Sequence, residues 1–367
     1  MAAESCRVIL GIDTSAYTTS LAFFSDEGRL LWEERQRLAV ASGRLGLRQS
    51  EAVFQHLNVL PELLERACAY LRPFLGLVAQ SGDGSADGLA KTVAGLPLPV
   101  VAVAASTQPR PRPDSYMPVF RVGERLGRAV AAFAGAPFFA LSHQEGHLLA
   151  ALYEIATASN GSFPTEFLLL HVSGGTTELL HVRRDPSTMR FHSVELGGSA
   201  DLKAGQFVDR VALALNLPFP GGPHLEKLAE AAASDKLEEV ADRSIRVRLS
   251  VAGSGLRISF SGPATQAERL IARGVPPEVV AAAAQDCLVG SLRELVMAGW
   301  AARPGLPLIV VGGVAANRAL RRALQELAEA RGLAVYFASP ERSTDNAVGI
   351  AFGGWQLWKW GRKLTGV

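Results

Sequence analysis

The chain has 367 residues, 48% hydrophobic and 20% charged, with a formal net charge of +2. That length buries sizeable cores and suits two domains, while the near-balanced charge does not by itself mark a nucleic-acid binder. Cys6, Cys68 and Cys287 stand apart with no Cys-x-x-Cys spacing, so a disulfide partner and a cysteine zinc site are not expected and a reducing cytoplasm fits.

In chain order, Glu4 precedes a strand over Arg7–Ile12 with no signal-peptide pattern. This strand ends in the small polar run Asp13-Thr14-Ser15. Thr19–Phe24 reads as the return strand of a hairpin, closed by Asp26-Glu27-Gly28. Apolar residues at helical spacing predict helices over Gln49–Leu71, Val122–Phe133, Glu145–Ala156, Pro277–Ala302 and Arg318–Arg331. Gly82–Ala86 and Gln108–Asp114 read as loops, the second extended because each X-Pro disfavours helix at the preceding residue. The uncharged stretch Ala129–Leu141 is too short to span a bilayer and contains Gly135 and Pro137, so no membrane association is expected.

The hairpin scheme recurs. Phe167–Val172 leads into Ser173-Gly174-Gly175-Thr176, returns over Glu178–Val182 and turns at Arg184-Asp185-Pro186. The apolar run Leu308–Val311 then ends in Gly312-Gly313 before a further helix, a tight turn that suits residues without a Cβ. Strands alternating with helices imply an α/β fold. The repeat implies duplication, with domains 1–160 and 161–367 parted at the Asn160–Pro164 turn cluster. The glycine- and hydroxyl-bearing strand ends together suggest a split nucleotide cleft.

Several residues could carry chemistry. His143 and His147 are four apart and share one helix face, which suits either one metal ion or two hydrogen-bonded imidazoles. Glu145 lies about 200° round that helix from His143, so metalloprotease chemistry is unsupported. Asp345 is the third ligand to consider, unless it or Thr344 merely caps the following small-residue helix Ala347–Gly354. Ser173-Gly174-Gly175-Thr176 could cradle a phosphate or form an ordinary turn. Gly221-Gly222-Pro223 and Asp209 are equally open when read singly.

Taken together, these motifs resemble the tRNA threonylcarbamoyladenosine transferase family, once called glycoproteases. That family lies within the actin, sugar kinase and Hsp70 ATPase superfamily. The resemblance runs through Gly11–Ser15, His143-x-x-x-His147, Val172–Leu179, Gly205–Arg210, Pro220–Pro223, Ser259–Gly262, Gly312–Arg318 and Thr344–Asn346. It implies a duplicated actin-like ATPase fold of two α/β domains with a nucleotide cleft between them. It also implies His143, His147 and Asp345 as ligands of one divalent ion, iron or zinc. Ser173, Gly174, Gly175 and Thr176 would form the phosphate loop, Asp209 the ribose acceptor, and Gly222 and Asn317 the adenosine pocket. The implied ligands are an adenine nucleotide (ATP, AMP or threonylcarbamoyl-adenylate). The implied partners are tRNA, a smaller paralogue that pairs through the N-terminal domain, where Gln49–Leu71 offers a helix, and an adenylate-forming enzyme. The implied reaction is threonylcarbamoyl transfer to N6 of adenine 37 in tRNA.

The chain also departs from the family's pattern. An acidic pair usual after Thr-Ser is Tyr17-Thr18, leaving Asp13 as the only nearby acid for a catalytic role. A Gly-Pro-Gly loop is replaced by Gln108–Pro113, a lysine by Pro263-Ala264-Thr265, and a glutamate by Gln206. Nucleotide and metal positions are kept while those nearest the reacting carbonyl change, so weakened transfer is expected. The alternatives are a non-catalytic regulatory or assembly paralogue and carbamoyl transfer to another acceptor. Arginines cluster at Arg110 and Arg112, at Arg121, Arg125 and Arg128, and at Arg243, Arg246 and Arg248, either as solvated surface or to track phosphates.

Overall fold

Two sheets carry the chain, and the same order of strands recurs in both. The computed structural model describes residues 7–40, 47–71, 99–232, 248–250 and 253–365; the Gly82–Ala86 loop, Cys6, Arg243 and Arg246 lie outside them. The chain packs as two compact units. One comprises Met1–Thr157, Ser187–Met189 and Asp345–Val367, the other Ala158–Pro186 and Arg190–Thr344.

In the first unit, β1 (Val8–Thr14) and β2 (Thr18–Ser25) are buried along their whole length. Their β-branched and aromatic side chains suit a strand covered on both faces. The sheet order is β3-β2-β1-β4-β5, with β3 at Leu30–Arg37, β4 at Val100–Gln108 and β5 at Phe138–Ser142. β1 and β2 pair antiparallel from Val8↔Ser25 to Thr14↔Thr19, whereas β4 and β5 run parallel to β1. Helix α1 (Gln49–Leu71) buries Leu60, Leu63 and Ala67 in the core formed with Leu10, Ile12, Leu21 and Val103. Helices α2 (Pro118–Ala134) and α3 (His143–Ala158) follow β4 and β5. Each large side chain buried this way is worth about 1.5–3 kcal/mol.

The second unit repeats the scheme. Its sheet contains β6 (Glu166–Val172), β7 (Thr177–Arg184), β8 (Phe191–Ser199), β11 (Leu308–Val311) and β12 (Val335–Phe337) in the order β12-β11-β6-β7-β8. Read from the other end, this is the order of the first sheet. The short strands β9 (Gly253–Ser254) and β10 (Arg257–Ile258) extend its edge. Helices α4 (Ala204–Ala214), α5 (Gly221–Ala232), α6 (Ser261–Ala272), α7 (Pro277–Ala302) and α8 (Arg318–Glu329) belong to this unit. Its core stacks Phe207 on Phe260 with ring centroids 5.1 Å apart. The duplicated α/β architecture expected from the two hairpins is therefore present.

After a four-residue helix α9 (Pro340–Ser343), the chain enters α10 (Val348–Thr365) in the first unit. This helix is much longer than the Ala347–Gly354 segment expected from small residues. Gly353 and Gly354 do not end it, because a Cβ there would meet Leu149, Leu141 and Ala104 within 3 Å. They are packing positions. No helix among the described residues is long and apolar enough to cross a membrane, and none of these residues forms a disulfide.

Candidate metal centre and phosphate loop

Three elements of the first unit bring one cluster together. α3 begins with a capping box, a motif already written in Ser142-His143-Gln144-Glu145. The Glu145 carboxylate accepts from the Ser142 backbone N–H at 2.6 Å, and the Ser142 hydroxyl oxygen accepts from the Glu145 N–H at 3.2 Å. Glu145 is thus a capping residue. The helix started there carries His143 and His147 on one face, their rings 4.6 Å apart and inclined at 70°.

Asp345 arrives from the start of α10. A Cβ at Gly349 would collide with the Gly146 carbonyl oxygen, so only glycine permits α10 to approach α3 this closely. Asp345 Oδ1 then lies 3.4 Å from Nε2 of each histidine. Asp345 does not cap the helix; Asn346 Oδ1 accepts from the Val348 N–H at 3.0 Å instead. The other Asp345 oxygen, Oδ2, accepts from the Ser15 hydroxyl at 2.5 Å.

Asp13 closes the cluster from the end of β1. It is fully buried, and its Oδ1 lies 3.0 Å from His143 Nδ1, while Oδ2 is buried without a hydrogen-bond partner. With the Nδ1 hydrogen donated to Asp13, Nε2 of His143 faces Asp345 as the atom that holds either a proton or a cation. Burial lowers the His143 pKa, but Asp13 and Asp345 beside it hold it well above the ordinary histidine value. Burial would raise Asp345; His143 and His147 hold it well below the ordinary carboxylate range.

This donor set fits a divalent transition metal. His143, His147 and Asp345 each present one ligand atom, all within 4.8 Å of one another. Two imidazole nitrogens and one carboxylate oxygen suit zinc or ferrous iron and leave coordination positions open. Asp13 on Nδ1 is the carboxylate–histidine arrangement that commonly orients a ligand from behind.

The remaining residues expected at a site lie in the second unit. The Ser173 hydroxyl oxygen accepts from the N–H groups of Gly175 at 3.3 Å and Thr176 at 3.1 Å, which folds the loop tightly. Gly174 and Gly175 are exposed, with open space where a Cβ would stand. Gly205 at the start of α4 packs on this loop and donates its N–H to the Ser173 carbonyl at 3.1 Å. Gly312 has φ +94° and abuts the Val172 carbonyl oxygen, so the Gly312-Gly313 turn and the Ser173 loop adjoin.

Asp209, Gly222 and Asn317 each acquire structural neighbours. Asp209 Oδ1 accepts from the Gly221 N–H at 2.9 Å, and burial pushes the Asp209 pKa upward against that bond. Gly221 is the tightly packed member of its pair; Gly222 has room, with the nearest neighbour of a Cβ at 3.9 Å. Asn317 caps α8, its Oδ1 accepting from the Leu320 N–H at 2.8 Å.

Ser15, which donates to Asp345, is not visible as a site residue in the sequence. Ser15 is legible as a hairpin tip, and nothing in its spacing links it to Asp345. Of the arginines, Arg121 and Arg128 both pair with the buried Glu124, and Arg125 is exposed beside them. The loop bearing Arg110 and Arg112 is tied to the start of α3, where the Gln144 N–H donates to the Pro109 carbonyl at 3.0 Å.

Comparison with known proteins places the sequence among one family. A sequence model of the family described as tRNA N6-adenosine threonylcarbamoyltransferase matches residues 113–352. A protein of that name from Thermus thermophilus is 34% identical over 355 residues, covering 95% of this chain and 92% of the other. One from Methanopyrus kandleri is 29% identical over 350 residues, covering 95% and 86%. Among solved structures, full-length HypF in its phosphate- and nucleotide-bound form superposes with a TM-score of 0.52 at 13% identity, covering 98% of this chain and 47% of HypF. That last likeness concerns the fold alone.

Proposed function

Because the chain belongs to the tRNA N6-adenosine threonylcarbamoyltransferase family, we propose that it acts on a threonylcarbamoyl-adenylate and on adenine 37 of tRNA, with reduced transfer activity. The observation that carries the reading is the convergence of His143, His147 and Asp345, with Asp13 behind His143. In the reaction the adenine N6 amine attacks the carbamoyl carbon. The carbon–oxygen bond to the adenylate phosphate breaks, AMP leaves, and N6 gives up a proton. A divalent ion, when bound by the three ligands, supplies Lewis-acid polarisation.

The residues of this chain have separable parts in that scheme. His143, His147 and Asp345 hold the ion. Asp13 is a positioning residue rather than a group that touches substrate, because it is fully buried against His143. Ser173, Gly174, Gly175 and Thr176 bind phosphate, the open space around both glycines supporting close approach. Asp209, Gly222 and Asn317 serve the nucleoside, with Asp209 Oδ2 the ribose acceptor because Oδ1 already caps α5. The protein works in the cytoplasm, with an adenylate-forming enzyme as its supplier and the smaller paralogue as a partner.

The test incubates the purified chain with that supplier and unmodified tRNA, following both AMP release and modified adenosine. A second reading, a non-catalytic nucleotide- and metal-binding paralogue, is favoured by one observation: half-exposed Tyr17 occupies the hairpin tip beside Ser15 with no carboxylate. Nucleotide and metal binding without any modified adenosine would select it. AMP release in the presence of a different acceptor would instead select carbamoyl transfer elsewhere.

A further inference from the structure

Helix α1 buries Ala52, His56, Leu60, Leu63, Ala67 and Leu71. Five of these are apolar. His56 alone carries polar ring atoms into that face, at 0% exposure. A buried ring of this kind is costly unless both nitrogens are bonded. Nδ1 lies 2.7 Å from Thr19 Oγ1, and Nε2 lies 2.8 Å from the Ser15 carbonyl oxygen. A carbonyl only accepts, so Nε2 carries the hydrogen and Nδ1 accepts from the Thr19 hydroxyl. One neutral tautomer therefore satisfies both contacts.

Those contacts bracket the turn between β1 and β2. Thr19 pairs with Thr14 at the end of the β1–β2 ladder, and Ser15 opens the turn, donating its N–H to the Thr18 carbonyl at 3.0 Å. The Ser15 side chain then reaches forward to Asp345 Oδ2. A continuous set of hydrogen bonds runs from α1 through the turn to the carboxylate between the two histidines. A leucine at position 56 would fill the apolar face without desolvating a ring, but it would leave the Ser15 carbonyl and the Thr19 hydroxyl without these partners.

We propose that His56 is a positioning residue for the metal centre: it holds the Ser15–Thr18 turn from behind and, through the Ser15 hydroxyl, fixes the Asp345 carboxylate toward His143 and His147. This rests on the reading of those three residues as metal ligands. It makes α1 part of the site although its side chains stand outside the ligand set.

The test titrates the full chain with cobalt(II), following visible absorption and competition by zinc. His56→Leu is expected to weaken cobalt affinity about 10-fold, the lower end for residues that orient ligands, and to change the absorption envelope. Thr19→Val, which keeps the ring and the side-chain volume, should move both readouts in the same direction by less. His56→Gln should restore much of the affinity, because its amide N–H can donate to the Ser15 carbonyl. A purely structural His56 would lower the thermal stability of the metal-free protein and leave cobalt affinity and spectrum as in wild type, which overturns the inference. If His56→Leu does not fold, Thr19→Val is judged by the same two readouts, and wild-type values there also overturn it. Wild-type protein that binds no cobalt, or binds it equally well in His143→Ala/His147→Ala, defeats the metal reading itself and this inference with it. Binding lost in that double variant yet unmoved by His56→Leu and Thr19→Val defeats only the positioning role.

Discussion

Asp209 has one structural role and one proposed role. One oxygen caps α5 through the Gly221 N–H, and the other is proposed for the ribose. Asp209→Ala should therefore weaken AMP binding by roughly 1.5–3 kcal/mol, the range for a hydrogen bond to a charged group, and also cost about 1 kcal/mol of stability through the lost cap. Calorimetry paired with thermal unfolding separates the two effects, and unchanged AMP affinity with lowered stability would leave only the cap. His56 gives a prediction about pH. Burial lowers its pKa below the ordinary value, opposed by the Ser15 carbonyl and the charge of Asp13. The unfolded chain therefore binds the proton more readily than the folded one. This contribution is present above about pH 6.5 and is lost as pH falls through the depressed folded value. His56→Gln removes it, so between about pH 7.5 and 5.5 the wild type should lose more stability than the variant in urea unfolding. Parallel curves would show that His56 does not titrate differently on folding.

Among the elements, α1, α7 and β11 are legible to the residue, because their apolar periodicity and flanking turns agree with how they are packed. β3 is not, since Leu30–Arg37 carries four charged residues and half-exposed apolar ones at a sheet edge, with no clean alternation. α10 reads too short in the sequence because Gly353-Gly354 looks like a stop signal; its close packing overrides that preference. The capping box of α3 is written in the sequence and explains Glu145, yet the approach of α10 to α3 is not, since it depends on two glycines far apart in the chain. Gly349→Ala tests that approach. A methyl group there would collide with the Gly146 carbonyl oxygen, so the helices must separate. The expected cost is about 1–3 kcal/mol, as for overpacked cores, together with weaker zinc binding because Asp345 begins the displaced segment. Thermal unfolding and zinc titration on the same sample check both, and stability lost with zinc affinity intact would show that Asp345 tolerates the displacement.

At the scale of the whole chain, the repeated hairpins announce the duplication because each pairs adjacent segments, a local signal. The meeting of His143 with Asp345 joins residues far apart in the chain and no local pattern encodes it; the residues alone leave Asp345 open between ligand and helix cap, and resemblance to the family favours the ligand. The same limit applies to Tyr17 and Thr18, whose significance depends on what relatives carry there. The structure separates the two: Thr18 is buried at 6% exposure in β2, while Tyr17 is 38% exposed at the tip. An acid at position 18 would be largely buried, with Arg37 directly opposite it across the β2–β3 pair, so position 17 accepts a carboxylate at the smaller desolvation cost. Preorganised groups near a reacting carbonyl are commonly worth about 2.7–4 kcal/mol. The wild-type chain should therefore transfer threonylcarbamoyl at least about 100-fold more slowly than a relative carrying the acids, with metal and AMP affinity unaffected. Tyr17→Asp should recover about 10-fold of that rate, a part of what one such group supplies, and Thr18→Glu, more buried, should cost more stability than Tyr17→Asp. Single-turnover transfer to unmodified tRNA measures each case. A wild-type rate equal to that of the relative would mean that the acidic pair is dispensable and that the chain is an ordinary member of its family. A slow wild type that Tyr17→Asp does not improve would shift the cause to the Gln108–Pro113 loop, which is hydrogen-bonded to the start of the histidine-bearing helix.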